Sequence, residues 1–591
     1  MKLSKSFAQT LKNLPSGEVS KNAQLLIKAG YIHKTMAGVY SYLPLGLKVL
    51  NNIENIIRKH LNRIGGQEVL MNSLHPKTWW DKTDRWDPEK VDVLFRLESQ
   101  TNSKYALACS HEEQVTPIIQ SFVSSYKDLP EYIDNADESQ YPLSVYQIQT
   151  KFRDELRSKS GLMRGREFRM KDMYDFHISQ ESADKYYELV KDTYFKIYAE
   201  MGLKVYAVYA SGGMFTDNDS HEFQVLCEAG EDEIFIHKDK IYNSEIVPVY
   251  DDKVNLLHEE EQELTQHELH DVVGVEALIK ELNIEITRST KTIMYEDSNG
   301  KLIVACIRSD RDLSIEKLEQ IAKRRLKLAA IETIRNHTGA ETGYAGIINL
   351  PNNCELYCDD SVSKLKNFET GSNKTGFHAT NVCFERDLPY PERFYDIKKA
   401  IKGDKNPSNN QFWEVGKSAE VGNIFKLGSK YTEAFDLKVT TKDNNYILPI
   451  MNCHGIGTSR CMGVLAEIYS DDQGLKWPEN IAPFKFHLIT HIQKNESQEV
   501  LNKIQTIARQ VYSGEIQIDM DKLMINTFNG EQDSYDEVIW DDRSNIGMGE
   551  KLGDAELIGC PYIILVTKKS LEGGGIEVRL RSNNQVKILS V

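Results

Sequence analysis

Apolar residues fall at three- and four-residue intervals over Leu47, Leu50, Ile53, Ile57 and Leu61, which predicts an amphipathic helix of about four turns. Ahead of it Ala23, Leu26, Ile27 and Gly30 share a helical face, and AGVYSYLPLGLKVL brings Gly and Pro punctuation. Residues 21–64 therefore read as helices around a turn, followed by a strand, GGQEVLM. A polar stretch, EYIDNADESQ, marks Leu129 to Gln149 as an exposed loop. Residues 181–203 predict a helix with Tyr187, Leu189, Val190, Tyr194 and Ile197 inward, and KVYAVYA a strand.

Past Phe235 the chain turns acidic and polar, then starts a new α/β unit of roughly 155 residues. GVEALIKELN and SIEKLEQIAKRRLKLA read as helices, and KTIMYEDSNGKLIVACI as two strands around Ser298-Asn299-Gly300. At 452–469 a strand and a glycine turn lead into a helix with Met462, Leu465, Ala466 and Tyr469 on one face. The tail alternates strand and helix (HLIT, SQEVLNKIQTIARQVY, EVIWDDR, GEKLGDAELIG, PYIILV), which predicts a small α/β domain with a largely parallel sheet. Segment 518–536 reads as a local elaboration of it.

Composition changes this picture little. At 591 residues the chain exceeds one core, and about three or four domains is the natural expectation. A net charge of −16 excludes a protein that coats polyanions over its whole surface, but leaves room for a local basic patch. The nine cysteines are scattered, with only Cys354 and Cys358 close, so they read as free thiols of a reducing compartment. The N-terminal stretch has no signal-peptide core and no run of 18 apolar residues occurs, so a cytoplasmic protein with no membrane contact is expected.

Candidate chemistry concentrates in KFRDELRSKSGLMRGREFRMKDMYDFH, Lys151 to His177, which reads as a strand, a basic glycine loop and a second strand. Read as extended, Arg153 and Glu155 share one face, and Arg164, Arg166, Phe168 and Met170 another parity. Arg164 to Phe168 would span about 13 Å, close to the length of a nucleoside triphosphate. A guanidinium fork takes phosphate oxygens and an aromatic ring stacks on a base, although charge runs alone are mostly solvated surface.

FRDE, RGREF and MKD together resemble motif 2 of the class II aminoacyl-tRNA synthetases, in the form used by the bacterial-type prolyl enzymes. The resemblance implies that Arg153 holds the ATP α-phosphate and the amino-acid carboxylate. It also implies that Glu155 accepts from the adenine amino group, Arg164 reaches the γ-phosphate and Phe168 stacks on adenine. The 47–71 helix and strand resemble motif 1, the dimer interface of that class, with Asn72 where the prolyl enzymes have proline. Ser110-His111-Glu112 resembles the T-H-E loop that contacts proline, with Glu112 on the prolyl ammonium; Ser110 and Glu113 equally fit a helix capping box. SHEFQVL followed by GED implies that His221 and Phe223 line the proline pocket. EVGNIFKLGSKYTEAF resembles the block before motif 3, with Asn423 in place of a histidine. Asn452 to Arg460 resembles motif 3, with Cys453 in the proline pocket, His454 where tyrosine is common, and Arg460 on the γ-phosphate.

The central unit resembles the insertion domain that hydrolyses mischarged alanyl-tRNA in this family, with Lys291, Asp359 and His378 at the matching positions. The loop Gly339 to Gly346 lacks the family's proline. Alanine fits any pocket that admits proline, and a missing methylene is worth only about 1–3 kcal/mol, so a second hydrolytic site is the usual remedy. The tail resembles the anticodon-binding domain of class II enzymes, with Arg543 and Lys551 expected near nucleic acid.

The expectation is thus a multidomain α/β chain: a class II catalytic domain with an antiparallel sheet at 1–236 and 397–482, an inserted α/β editing domain at 237–396, and an α/β anticodon-binding domain at 483–591. Catalytic roles fall to Arg153, Glu155 and Arg460; the partners implied are L-proline, ATP with Mg²⁺, prolyl tRNAs and a second copy of the chain, with no tightly bound cofactor and metal ligands unassigned. No P-loop exists, since Gln411 stands where Gly416-Lys417-Ser418 would need a glycine, and no HIGH-type histidine pair points to class I. A class II enzyme for a related amino acid, and a silent paralogue that only binds tRNA or only edits, are the alternatives.

Overall fold

The computed structural model describes residues 1–14, 17–134, 139–158, 160–210, 220–238, 240–270, 272, 274–297, 299–351, 353–493, 495–520, 524–527 and 537–591. Part of the polar loop (135–138), Ser298 and most of 521–536 lie outside them. The chain forms two compact units, one of Met1–Ala207, Gly212–Glu231 and Lys417–Val591, the other of Val208–Ser211 and Asp232–Gly416. Among the described residues no helix is long and apolar enough to cross a membrane.

In the larger unit, strands Ser220–Leu226, Glu414–Gly428, Ile450–Ile456, Glu167–His177 and Leu143–Phe152 pair antiparallel in that order. Gln67–Glu68 adds a short parallel edge. Of the expected GGQEVLM strand only Gln67–Glu68 forms, extended by one further bond from Val69 N to Tyr146 O. Helix Gln180–Met201 covers one face of the sheet, capped by Ser179 at its start and ended by Gly202 at φ +88°. Its tyrosines 186, 187, 194 and 198 are buried there with Phe223 and Ile424. The opposite face carries Val115, Tyr174, Phe425, Tyr431 and Cys453 in a separate core.

Helix Pro44–Arg63 starts three residues before the periodicity does, because Pro44 sits at its first turn, where a missing N–H costs nothing. Between it and helix Lys21–Lys28 the expected turn is a β-hairpin, Ile32–Met36 with Val39–Tyr42. Its tip props the basic loop: Gly38 O accepts from Arg166 N at 2.8 Å, and a Cβ on Gly38 would lie 2.7 Å from the Ser158 Cβ.

The C-terminal part orders Val538–Asp541, Phe486–His491 and Tyr562–Thr567 in parallel, followed by antiparallel Ile576–Leu580 and Val586–Leu589. The elaboration there begins as an antiparallel pair, Ile516–Asp519 with Met524–Thr527.

The smaller unit holds a five-stranded sheet built on Thr290–Glu296, Leu302–Arg308 and Glu355–Asp359, and a three-stranded one of Thr265–Glu268, Phe377–Val382 and Phe368–Gly371. Its helix Ile315–Ala322 is shorter than the sequence suggests. Lys323 turns left-handed and Lys327–Leu328 pairs with Tyr295–Glu296 instead.

Candidate active site

Two groups of polar side chains stand out in the larger unit, the first on the Cys453 face of its sheet. The first surrounds Glu112, which is fully buried at the start of helix Glu112–Gln120. Ser110 Oγ donates to Glu112 Oε2, and the Cys453 thiol lies 3.2 Å from Oε1. Burial, then the Glu112 charge, pushes the Cys453 thiol well up, so it stays a donor. The expected capping box does not form: the N-cap is His111, without a side-chain cap bond, and Glu113 turns to Arg85 Nη1 at 2.8 Å. Arg85 also reaches Glu112 at 3.6 Å and the Tyr431 hydroxyl at 3.0 Å, so one buried cation serves two adjacent carboxylates. Burial raises the Glu113 carboxyl, and Arg85 opposes that rise.

Behind Glu112 lies a buried chain of imidazole, ammonium and carboxylate. The Asn72 carbonyl accepts from His75 Nε2 at 3.1 Å and from His111 Nε2 at 3.0 Å. That leaves His111 Nδ1 as acceptor for the Lys151 ammonium at 2.6 Å, and Lys151 pairs with Asp172 at 2.6 Å. Burial and then Lys151 hold His111 well below the usual imidazole range, hence neutral. Burial works to raise the Asp172 carboxyl, but Lys151 and His111 pull it below its ordinary value. Arg85, Lys151 and Asp172 escaped sequence reasoning. MKD was visible as a motif, but nothing local pairs Asp172 with a lysine on the neighbouring strand.

The second group sits in the basic loop. Strand Leu143–Phe152 ends before Arg153, so the parity argument for Arg153 and Glu155 does not apply. Phe152 N donates to Ala108 O at 3.0 Å and Arg153 N to Arg166 O at 2.9 Å, which sets Arg153 beside the 108–112 loop. Its guanidinium lies 5.2 Å over the Phe168 ring, and its buried Nε has no partner. Arg164 is tied to Glu155 and to Glu231, each at 2.9 Å. Arg460 donates to Met163 O at 2.7 Å and pairs with Glu420 at 3.2 Å. Burial raises the Glu231 carboxyl while Ser160, Arg164 and Arg460 bring it down, so Glu231 stands between the two arginines of motifs 2 and 3.

His221 and Phe223 are not part of this face. Strand register sets them opposite Ile424 and Gly422, toward helix Gln180–Met201. His221 meets the Tyr187 hydroxyl at 2.8 Å, and Phe223 is fully buried against Tyr194 and Phe195. Glu222, opposite Asn423, takes the Cys453 side.

Elsewhere, Lys551 is 2% exposed and donates to the Thr490 and Asp541 carbonyls, while Arg543 is forked on Asp541 and Asp554. Both are engaged within the C-terminal part, Lys551 on carbonyls and Arg543 on two carboxylates. In the smaller unit Lys291 pairs with Asp312 at 2.8 Å. Asp359 is buried, its oxygens taken by Ser361 N and Ile397 N. His378 bonds Glu369 at 2.7 Å. Each of the three thus has a partner of its own outside the expected trio. Lys291 and Asp359 share the sheet face of Ile293 and Tyr357, while His378 belongs to the three-stranded sheet.

Residues 95–469 match the tRNA synthetase class II core domain (G, H, P, S and T), and 536–591 the anticodon binding domain. Fold, motif geometry and these matches define a class II aminoacyl-tRNA synthetase. The Proline--tRNA ligase 1 of Bacillus cereus is 34% identical over 594 residues, covering 100% of this chain and 98% of that one. The Proline--tRNA ligase of Bacillus cytotoxicus is 34% identical over 588 residues, covering 99% and 97%. Within the class, the chain belongs to the proline–tRNA ligases. The same fold occurs in the Giardia lamblia prolyl-tRNA synthetase in complex with prolyl-adenylate (TM-score 0.55, 15% identity, 95% of this chain and 72% of that one). It occurs again in the Cryptosporidium parvum enzyme complexed with halofuginone and AMPPNP (TM-score 0.54, 12% identity, 96% and 74%).

Proposed function

We propose that this proline–tRNA ligase divides its chemistry between the two groups above. Glu112 accepts from the prolyl ammonium, with Ser110 and Cys453 fixing its rotamer and Arg85 supplying a countercharge. Arg153 bridges the proline carboxylate and the ATP α-phosphate. The carboxylate attacks the α-phosphorus in line, pyrophosphate leaves, and prolyl-adenylate forms; the tRNA 3′-terminal ribose hydroxyl then attacks the adenylate carbonyl. Arg164 and Arg460 exchange Glu155, Glu231 and Glu420 for phosphate oxygens, trading one charge-assisted pair for another. Glu155, freed from Arg164, takes the adenine amino group, and Phe168 stacks on the base.

Mg²⁺ would arrive on the nucleotide. Glu420 and Glu231 are the carboxylates placed to meet Mg²⁺ there, where it would offset phosphate charge. The observation that carries the reading is the unpartnered Arg153 Nε next to the loop that leads to Glu112, a buried carboxylate whose donors are already arranged.

The finer assignments rest on the resemblance. Residues 237–396 act as the inserted domain that hydrolyses mischarged alanyl-tRNA. Exposed Leu70 and Leu74, which follow helix Pro44–Arg63 in the chain, suit an interface with a second copy. The nine cysteines, all described and all unpaired, suit a reducing cytoplasm. Proline-dependent ATP–pyrophosphate exchange, with alanine and cysteine in parallel, tests the first site. Exchange with proline and weakly with alanine is expected; none from folded protein would leave only tRNA binding or editing.

A further inference from the structure

We propose that Lys151 is a positioning residue for proline binding, acting through His111 on the 110–112 loop that presents the Glu112 carboxylate to the prolyl ammonium. This rests on the role of Glu112 given above.

Lys151 lies one residue before the end of strand Leu143–Phe152 and is fully buried, as is His111. A lysine that deep needs its charge balanced, and Asp172 does so at 2.6 Å. The lysine spends a second, directional contact on the neutral ring, donating to His111 Nδ1 at 2.6 Å. The other ring nitrogen donates to the Asn72 carbonyl at 3.0 Å, and the His111 main-chain N–H to the Tyr174 hydroxyl at 3.1 Å. Tyr174 in turn donates to Asp172 Oδ2 at 3.0 Å, beside Gln147 Nε2 at 3.0 Å. Two of the three contacts that hold His111 thus lead back to the Lys151–Asp172 pair.

His111 is the N-cap of helix Glu112–Gln120, and its side chain makes no cap bond to that helix. The orientation of the ring is therefore set by Lys151 and Asn72, and the next residue is Glu112 itself.

The titratable groups around the pair are Asp172 and Tyr174 from strand Glu167–His177, His75, Glu112 and Cys453. The His75 ring stands edge-on at 5.0 Å. Burial drops His75 to about 4 and pushes Tyr174 and Cys453 well up, so these three stay neutral near neutrality. Lys151 holds His111 neutral too. Without the lysine, Asp172 Oδ2, 3.8 Å from His111 Nδ1, would favour the imidazolium.

Proline-dependent ATP–pyrophosphate exchange by the full chain, followed across pH, tests this, with thermal unfolding as the check on folding. Lys151→Met is expected to raise the proline KM about ten- to a hundredfold at about pH 8, with the ATP KM unchanged. Toward about pH 6 His111 takes up a proton and donates to Asp172 itself, so part of the loss is recovered; the parent lacks that titration. Lys151→Arg, which keeps charge and donors, should restore part of the affinity and abolish the titration. His111→Ala should raise the proline KM as well, and the two losses should not add in the double variant. A parental proline KM in Lys151→Met, an equal rise in both KM values without pH dependence, or additive losses overturn the assignment. Should Lys151→Met fail to fold, the ring proton of the parent decides. A long-range ¹H–¹⁵N spectrum, with the signal identified by its loss in His111→Ala, should place that proton on Nε2; a proton on Nδ1 overturns the assignment. Glu112→Gln with a parental proline KM overturns the role of Glu112, and the assignment with it.

Discussion

In the activation site of the larger unit the motif arginines and the buried lysine already have protein partners: Arg164 with Glu155 and Glu231, Arg460 with Glu420, Lys151 with Asp172. In the smaller unit the His378 cluster is just as buried, yet it ends on a bare imidazole nitrogen. In the larger unit the pattern fits the ligands of a proline–tRNA ligase. ATP and proline bring full charges, so a site for them stores its arginines in ion pairs that substrate displaces, and little reorganisation is left for the moment of reaction. Around His378 the atom left open is instead an acceptor, Nε2.

The sharpest way to break this contrast is Arg153→Ala. It should lower proline-dependent pyrophosphate exchange by at least about a thousandfold, the scale of a lost transition-state contact of roughly 4 kcal/mol, and leave alanyl-tRNA hydrolysis alone. Near-normal exchange by that variant would remove Arg153 from the site. Arg85→Met comes next: with Glu112 and Glu113 sharing no cation, one takes up a proton, and the proline KM should rise about ten- to a hundredfold. An unchanged KM would mean that Glu112 does not meet the ammonium.

In the smaller unit Asp359→Asn should cost about 1–3 kcal/mol, seen as a lower Tm, because the carboxylate accepts two buried backbone N–H groups near Lys398. Loss of deacylation at an unchanged Tm would return Asp359 to catalysis. Acid should act gradually, as a slope. Burial drops His75 and His487 to about 4 from an ordinary 6.5. Between those values the unfolded chain binds the extra protons, so stability is full above about pH 6.5 and falls toward pH 4. The slope is about 1.4 kcal/mol per pH unit for each ring. His487→Leu should flatten that limb by one proton; an unchanged slope would mean that the ring is protonated in the folded state.

The order of motifs along the chain was legible, and so were the strand–loop–strand of motif 2 and the helix after motif 3. Each rests on local spacing and turn chemistry. Choices made by pairing were not legible. SHEFQVL has two faces by parity, but only register against Glu414–Gly428 decides that Phe223 points to the helix and Glu222 to Cys453. Lys551 looks like any surface lysine until the Thr490 carbonyl, 61 residues away, accepts its hydrogen bond. The 32–42 hairpin was hidden because its strands are only five and four residues long. Glu369 carried no motif at all. Its bonds to Ser289 and His378 come together only in the fold.

One departure from the family pattern takes on a different meaning through the carbonyl that His75 and His111 share. The side chain of Asn72 is exposed, and what both imidazoles use is its main-chain oxygen. Position 72 is therefore specified by an atom that every amino acid carries, proline included. Divergence there is silent to the neutral His111, and with it to Lys151 and the strand below. A lineage can exchange the two residues without re-evolving the pocket.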